Sequence, residues 1–223
     1  MNVSLAPRVP TPDGAASVLP PRLHLVTDTR RGRNPFPEIH AALAAGARVI
    51  QVRHTGGTDR DLLDPTRRVL QLDEELDVTV PVDDRLDIAA AAGAHGVHLG
   101  ADVLPVEDAA RLADGSLLIG ATARTPEAAA AAALAGATYL GVGPAYATTT
   151  KKRLPDALGA GTIADVVAAT SLPVIAIGGV TPEHVPELLA AGAHGVSVVP
   201  AISQAADPYA VTASFLRALQ DAA

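Results

Sequence analysis

Four times along the chain an alanine-rich segment ends in Gly-Ala and runs straight into a string of β-branched and apolar residues. Ala44-Ala45-Gly46-Ala47 precedes Val49-Ile50-Gln51-Val52-Arg53, and Ala91-Ala92-Gly93-Ala94 precedes Gly96-Val97-His98-Leu99-Gly100. Leu134-Ala135-Gly136-Ala137 leads to Tyr139-Leu140-Gly141-Val142-Gly143, and Ala190-Ala191-Gly192-Ala193 leads to Gly195-Val196-Ser197-Val198-Val199. Glycine just past a helix takes the left-handed conformation that ends it, and a short continuous apolar run is a strand covered on both faces. The unit is a helix-to-strand joint. Extending it predicts strands starting near Leu23, Val49, Val78, Gly96, Leu117, Tyr139, Pro173 and Gly195, with helices between them over Asp61–Leu76, Pro126–Leu134 and Pro182–Ala190 among others. Thr125 and Thr181 each stand before a proline, a threonine cap followed by proline at the first helical position. Eight βα units without a long leftover loop predict one closed (β/α)8 TIM barrel over residues 22–223. Residues 1–21, with prolines at 7, 10, 12, 20 and 21, read as a flexible leader.

Composition narrows the function. With 48% apolar residues the 223-residue chain is globular in character. Five aromatic residues and a net charge of −7 argue against nucleic acid as a partner. Cysteine is absent, which excludes disulfides, thiolate metal sites and cysteine nucleophiles. No run reaches the ~18 apolar residues of a membrane span, and the amino end has no signal pattern. The expectation is a cytoplasmic protein acting on small molecules.

In such a barrel the chemistry sits at the carboxyl ends of the strands. Gly178-Gly179 closes the seventh strand and Val199-Pro200 the eighth, the usual place of a phosphate cradle, although Pro200 has no N–H to give. The loop after the sixth strand carries Thr148, Thr150 and Lys151, hydroxyls and an ammonium suited to anionic oxygens. Asp83-Asp84, ending the third strand, fits either a Mg²⁺ chelate or the cap of a following helix. Arg53 suits bidentate binding of an oxyanion, or pairing with Asp83 or Asp84. His54 is the one histidine on a rim, whereas His98 falls where it would line the barrel interior. The other strand and joint histidines read as structural.

Together these pieces resemble the thiamine phosphate synthase family from about Leu23 to Leu219. The carriers are Leu25-Val26-Thr27-Asp28, Gln51-Val52-Arg53, the Gly96–Gly100 run, Gly141-Val142-Gly143-Pro144, Thr148-x-Thr150-Lys151, Ala176–Thr181 and Ala201-Ile202-Ser203. The resemblance implies joining an aminopyrimidine methyl pyrophosphate to a thiazole ethyl phosphate, with Mg²⁺ and release of pyrophosphate. It implies pyrimidine-pyrophosphate contacts at Gln51, Arg53, Thr122 and Lys151, and thiazole-phosphate contacts at Thr148, Thr150, Gly179 and Val199. Asp84 matches one Mg²⁺ ligand, with Asp83 beside it. The chain departs from the family pattern at Thr55 (usually Lys), Asp83 (usually Asn), Val103 (usually a second metal Asp), Arg124 (often His) and Pro200 (usually Ser). Two other readings share the fold: an aminothiazole tautomerase-like isomerase, and a diverged or non-catalytic relative that binds a thiazole phosphate.

Overall fold

The computed structural model describes residues 20–29, 32–54, 56–148 and 156–222. Eight parallel strands alternate with helices: β1 (Leu23–Val26), β2 (Val49–Gln51), β3 (Pro81–Asp83), β4 (Gly96–Leu99), β5 (Leu118–Ala123), β6 (Tyr139–Val142), β7 (Val174–Ile177) and β8 (Gly195–Val198). The hydrogen-bonded order runs β2-β1-β8-β7-β6-β5-β4-β3. Parallel bridges Val49↔Thr79 and Val52↔Val82 join the two ends, so the sheet curls into the predicted barrel. Its helices are α1 (Phe36–Ala45), α2 (Asp59–Leu76), α3 (Leu86–Ala92), α4 (Val106–Ala113), α5 (Pro126–Leu134), α6 (Gly159–Ala168), α7 (Val185–Ala190), α8 (Pro200–Ser203) and α9 (Pro208–Asp221).

The joints behave as their sequence dictates. Gly46, Gly93, Gly136 and Gly192 all have positive φ, turning the chain from helix into strand. Every residue of β1, β6 and β8 is buried, because side chains alternate between the barrel interior and the layer under the helices. Thr125 caps α5 as expected, its side chain accepting the Ala128 N–H at 3.2 Å.

Two elements differ from expectation. The third strand pairs with β4 only from Pro81, not from Val78. Thr79 bridges to Val49, while the Val80 N–H is taken by His95 Nδ1 at 2.9 Å, outside the ladder. The segment after Thr181 opens as a 3-10 turn, Pro182–His184, before α7 begins. Pro186 has no N–H for an α-helical bond back to Pro182, so the Val185 N–H takes the Pro182 carbonyl instead. Among the described residues no helix is long and apolar enough to cross a membrane. Residues 1–19 of the expected leader lie outside the described residues.

Candidate active site

The mouth of the barrel is built on one side by β2, β3 and β4. Thr27, at the end of β1, grips the Arg53 backbone from both directions: its hydroxyl donates to the Arg53 carbonyl (2.9 Å) and accepts the Arg53 N–H (2.8 Å). The anchored side chain is only 8% exposed. Its Nε lies 3.4 Å from Asp83 Oδ2, while Gln51 Nε2 donates to Asp83 Oδ1 at 2.7 Å. Asp83 is therefore the pairing partner of Arg53, and it holds two of the residues that the resemblance assigns to the pyrimidine pyrophosphate. The Arg53 terminal nitrogens have no partner among the described residues.

Asp84 does not cap α3. That helix starts after Arg85 with no side-chain cap, and Asp84 Oδ1 instead accepts the Gly100 N–H at 2.8 Å. Asp84 also has φ of 62°, a left-handed conformation uncommon for a residue other than glycine. The bond to β4 and the Asp84 N–H to His98 carbonyl bond (2.8 Å) hold it there. Strain retained by surrounding bonds in this way clusters at functional positions. Val103, standing where the family has a second metal Asp, is 37% exposed. With Asp84, Leu104 and Leu112 it lines an apolar cleft of about 620 Å³. Among the described residues no three His, Asp or Glu side chains gather as a metal-holding group. His54 lies in the loop between β2 and α2, against Gly57 and near Asp61.

The opposite side is made of backbone. The Ala145 and Tyr146 N–H groups donate to the Ile177 (2.8 Å) and Gly178 (2.9 Å) carbonyls, zipping the loop after β6 onto the end of β7. Gly178 and Gly179 have φ of 94° and 69°. A Cβ on Gly179 would stand 2.5 Å from the Ala147 carbonyl oxygen, and one on Gly178 would stand 2.8 Å from Pro144. These glycines admit the neighbouring loop, a role that the expectation of a phosphate cradle did not include. Thr148 is thereby set beside the turn, its Cγ2 3.5 Å from a Cβ at Gly178. Val199 leads into α8, where Pro200 takes the first helical position and its missing N–H costs no helical bond. The expected contacts Thr55, Thr150 and Lys151 lie outside the described residues.

Inside the barrel, His98 bridges two elements. Its Nδ1 is 3.2 Å from the Tyr139 hydroxyl and its Nε2 is 3.3 Å from Thr122 Oγ1. Its ring, as expected, lines the interior. Tyr139 did not figure among the sequence candidates. The available signal was the pair Gly120 and Gly141 in the middle of strands: a Cβ on Gly120 would come within 2.3 Å of the Tyr139 ring, and one on Gly141 within 2.7 Å of the His98 ring. His24, edge-on to Tyr139 at 5.6 Å, has its pKa lowered to about 3 by burial and then by His98, so it is neutral. Its Nε2 donates to the Pro21 carbonyl at 3.1 Å, a structural bond.

Comparison with known proteins gives the family. The family model described as thiamine monophosphate synthase matches residues 23–202. A thiamine-phosphate synthase of Salinispora tropica is 50% identical over 201 residues, covering 89% of this chain and 97% of the relative. One of Salinibacter ruber is 39% identical over 200 residues, 89% of this chain and 88% of the relative. The solved structure of thiamine phosphate pyrophosphorylase from Pyrococcus furiosus superposes with a TM-score of 0.83 at 32% identity, covering 90% of this chain and 96% of that one. The chain belongs to the thiamine monophosphate synthase family.

Proposed function

We propose that the chain is a transferase that joins an aminopyrimidine methyl pyrophosphate to a thiazole ethyl phosphate and releases pyrophosphate. The observation that carries the reading is the anchored Arg53 guanidinium, with Gln51 beside it, at the mouth of the barrel. In this reaction the methylene C–O bond breaks and its electron pair leaves on the pyrophosphate. The thiazole nitrogen lone pair then forms the new C–N bond. The task of the protein is to stabilise the departing charge and align the two rings. Arg53 offers its terminal nitrogens to the leaving group, and Gln51 and Thr122 flank the pyrimidine. Lys151 adds its charge to that of Arg53 on the pyrophosphate, while Thr148, Thr150 and the backbone around Gly178, Gly179, Val199 and Pro200 take the thiazole phosphate.

Both Asp83 oxygens are engaged by Gln51 and Arg53, which leaves Asp84, with one oxygen on Gly100, as the carboxylate suited to a cation. That donor set fits Mg²⁺ carried in on pyrophosphate, since Mg²⁺ accepts one or two carboxylates together with substrate phosphates. When bound there it would offset leaving-group charge. The isomerase alternative is not favoured, because it asks for a proton shuttle where this chain has Arg124. Phosphorylated substrates of this kind accord with a cytoplasmic setting.

Incubation with both precursors and Mg²⁺ tests the reading. Thiamine phosphate and pyrophosphate in equal amounts are expected; consumption of neither precursor overturns it.

A further inference from the structure

Among the described residues the buried Tyr139 hydroxyl has one hydrogen-bonding neighbour, His98 Nδ1 at 3.2 Å. A buried O–H that donates to nothing is costly, whereas a phenol oxygen that accepts nothing is tolerated. The proton of Tyr139 therefore lies on the bond to Nδ1. That makes Nδ1 an acceptor and puts the imidazole proton on Nε2, which points at Thr122 Oγ1 across 3.3 Å. With its oxygen already accepting, the Thr122 hydroxyl directs its own proton elsewhere. Thr122 stands near the mouth end of β5, half-buried, two residues beyond the slot that Gly120 opens for Tyr139 and His98.

We propose that Tyr139 and His98 are positioning residues that fix the Thr122 hydroxyl as a hydrogen-bond donor toward the barrel mouth, where it meets an anionic oxygen of the pyrimidine substrate. The proposal rests on the synthase reading for what the hydroxyl meets. The order Tyr139 to His98 to Thr122 rests on the geometry alone. The Tyr139 phenol is kept protonated by burial, with the Asp83 carboxylate adding to the effect. Neutral His24 packs on the same ring without adding a charge. Residues with a side chain at 120 or 141 would fill the slot that brings the two rings together.

Two measurements on the whole protein test this. Histidine ¹⁵N NMR, with the His98 signal assigned by its loss in His98→Gln, is expected to show the neutral Nε2–H tautomer. A Nδ1–H tautomer or an imidazolium overturns the proposal whatever the activity. Steady-state kinetics then test the consequence. Tyr139→Phe should lower kcat/KM for the pyrimidine substrate about fivefold, the worth of one hydrogen bond, with KM for the thiazole phosphate unchanged. Thr122→Val should lower it further, and the double variant should be no worse than Thr122→Val alone. Losses that multiply overturn the coupling. If the wild-type protein forms no thiamine phosphate, it is the synthase reading that fails, and the tautomer decides the relay on its own.

Discussion

At the β2–β3–β4 side of the mouth an anion would meet side chains, with Arg53 held by Asp83 and Asp84 held by Gly100. At the β6–β7–β8 side it would meet a loop and a turn locked together through backbone, with glycines at the points of contact. The chain's departures from the family pattern divide along the same line. Asp83 and Val103 fall on the side-chain half, Arg124 follows β5 between the two halves, and the backbone half loses only a serine, at Pro200. Charges on side chains compensate one another when one is exchanged, as Asp83 does here by pairing with Arg53. A backbone turn at positive φ has no such latitude.

Gly179→Val puts the largest strain on that contrast. A β-branched residue at φ of 69°, with its Cβ 2.5 Å from the Ala147 carbonyl, must displace the loop that carries Thr148. Melting temperature should fall by roughly 5–10 °C, and thermal-shift titration should show no stabilisation by thiazole ethyl phosphate. Wild-type response in this variant would mean that the locked turn does not shape the phosphate site. On the other half, Arg53→Met removes the anchored cation. The KM for the pyrimidine pyrophosphate should rise about a hundredfold, the worth of strong charge-assisted bonds. The KM for the thiazole phosphate should stay within about twofold, a split that initial-rate kinetics would read directly.

Much of this was legible in the sequence because the barrel repeats its joint. Gly46 and Gly192 announce helix ends without reference to anything distant. Positions of Arg53 and Asp84 followed from counting to the ends of strands, and those of Gln51 and Thr122 from the family resemblance. What one strand cannot disclose is which neighbour its side chains meet. Asp83 allowed metal binding, capping or pairing until β2 and β3 were side by side, and Tyr139 looked like one more apolar strand residue until Gly120 and Gly141 opened room for it. The start of β3 failed for a related reason. Val78-Thr79-Val80 has strand chemistry, but a histidine fifteen residues away takes the Val80 N–H.

Asp83→Asn separates compensation from positioning. A like charge ~5 Å from a pyrophosphate, at an effective dielectric near ~20, costs ~3 kcal/mol before salt screening. Removing it should tighten binding of inorganic pyrophosphate about tenfold by calorimetry, even as Arg53 loses its partner. Weaker binding would mean that Asp83 matters more for orienting Arg53 and Gln51 than for opposing the anion.

Val103→Asp is the smallest change and the most discriminating for the metal. It places a second carboxylate in the cleft that Asp84 shares, at a position 37% exposed and open to solvent. Without Mg²⁺ the added charge can only repel pyrophosphate, so its affinity should fall a few-fold. With Mg²⁺ in excess the same carboxylate should help hold the ion, and affinity should rise by about threefold to tenfold, since exposed charges are well screened. Calorimetric titration of pyrophosphate with and without Mg²⁺ would read the change of sign. A loss under both conditions would show that no cation sits between Asp84 and the leaving group, and the side-chain half of the mouth would then have to stabilise that charge through Arg53 and its neighbours alone.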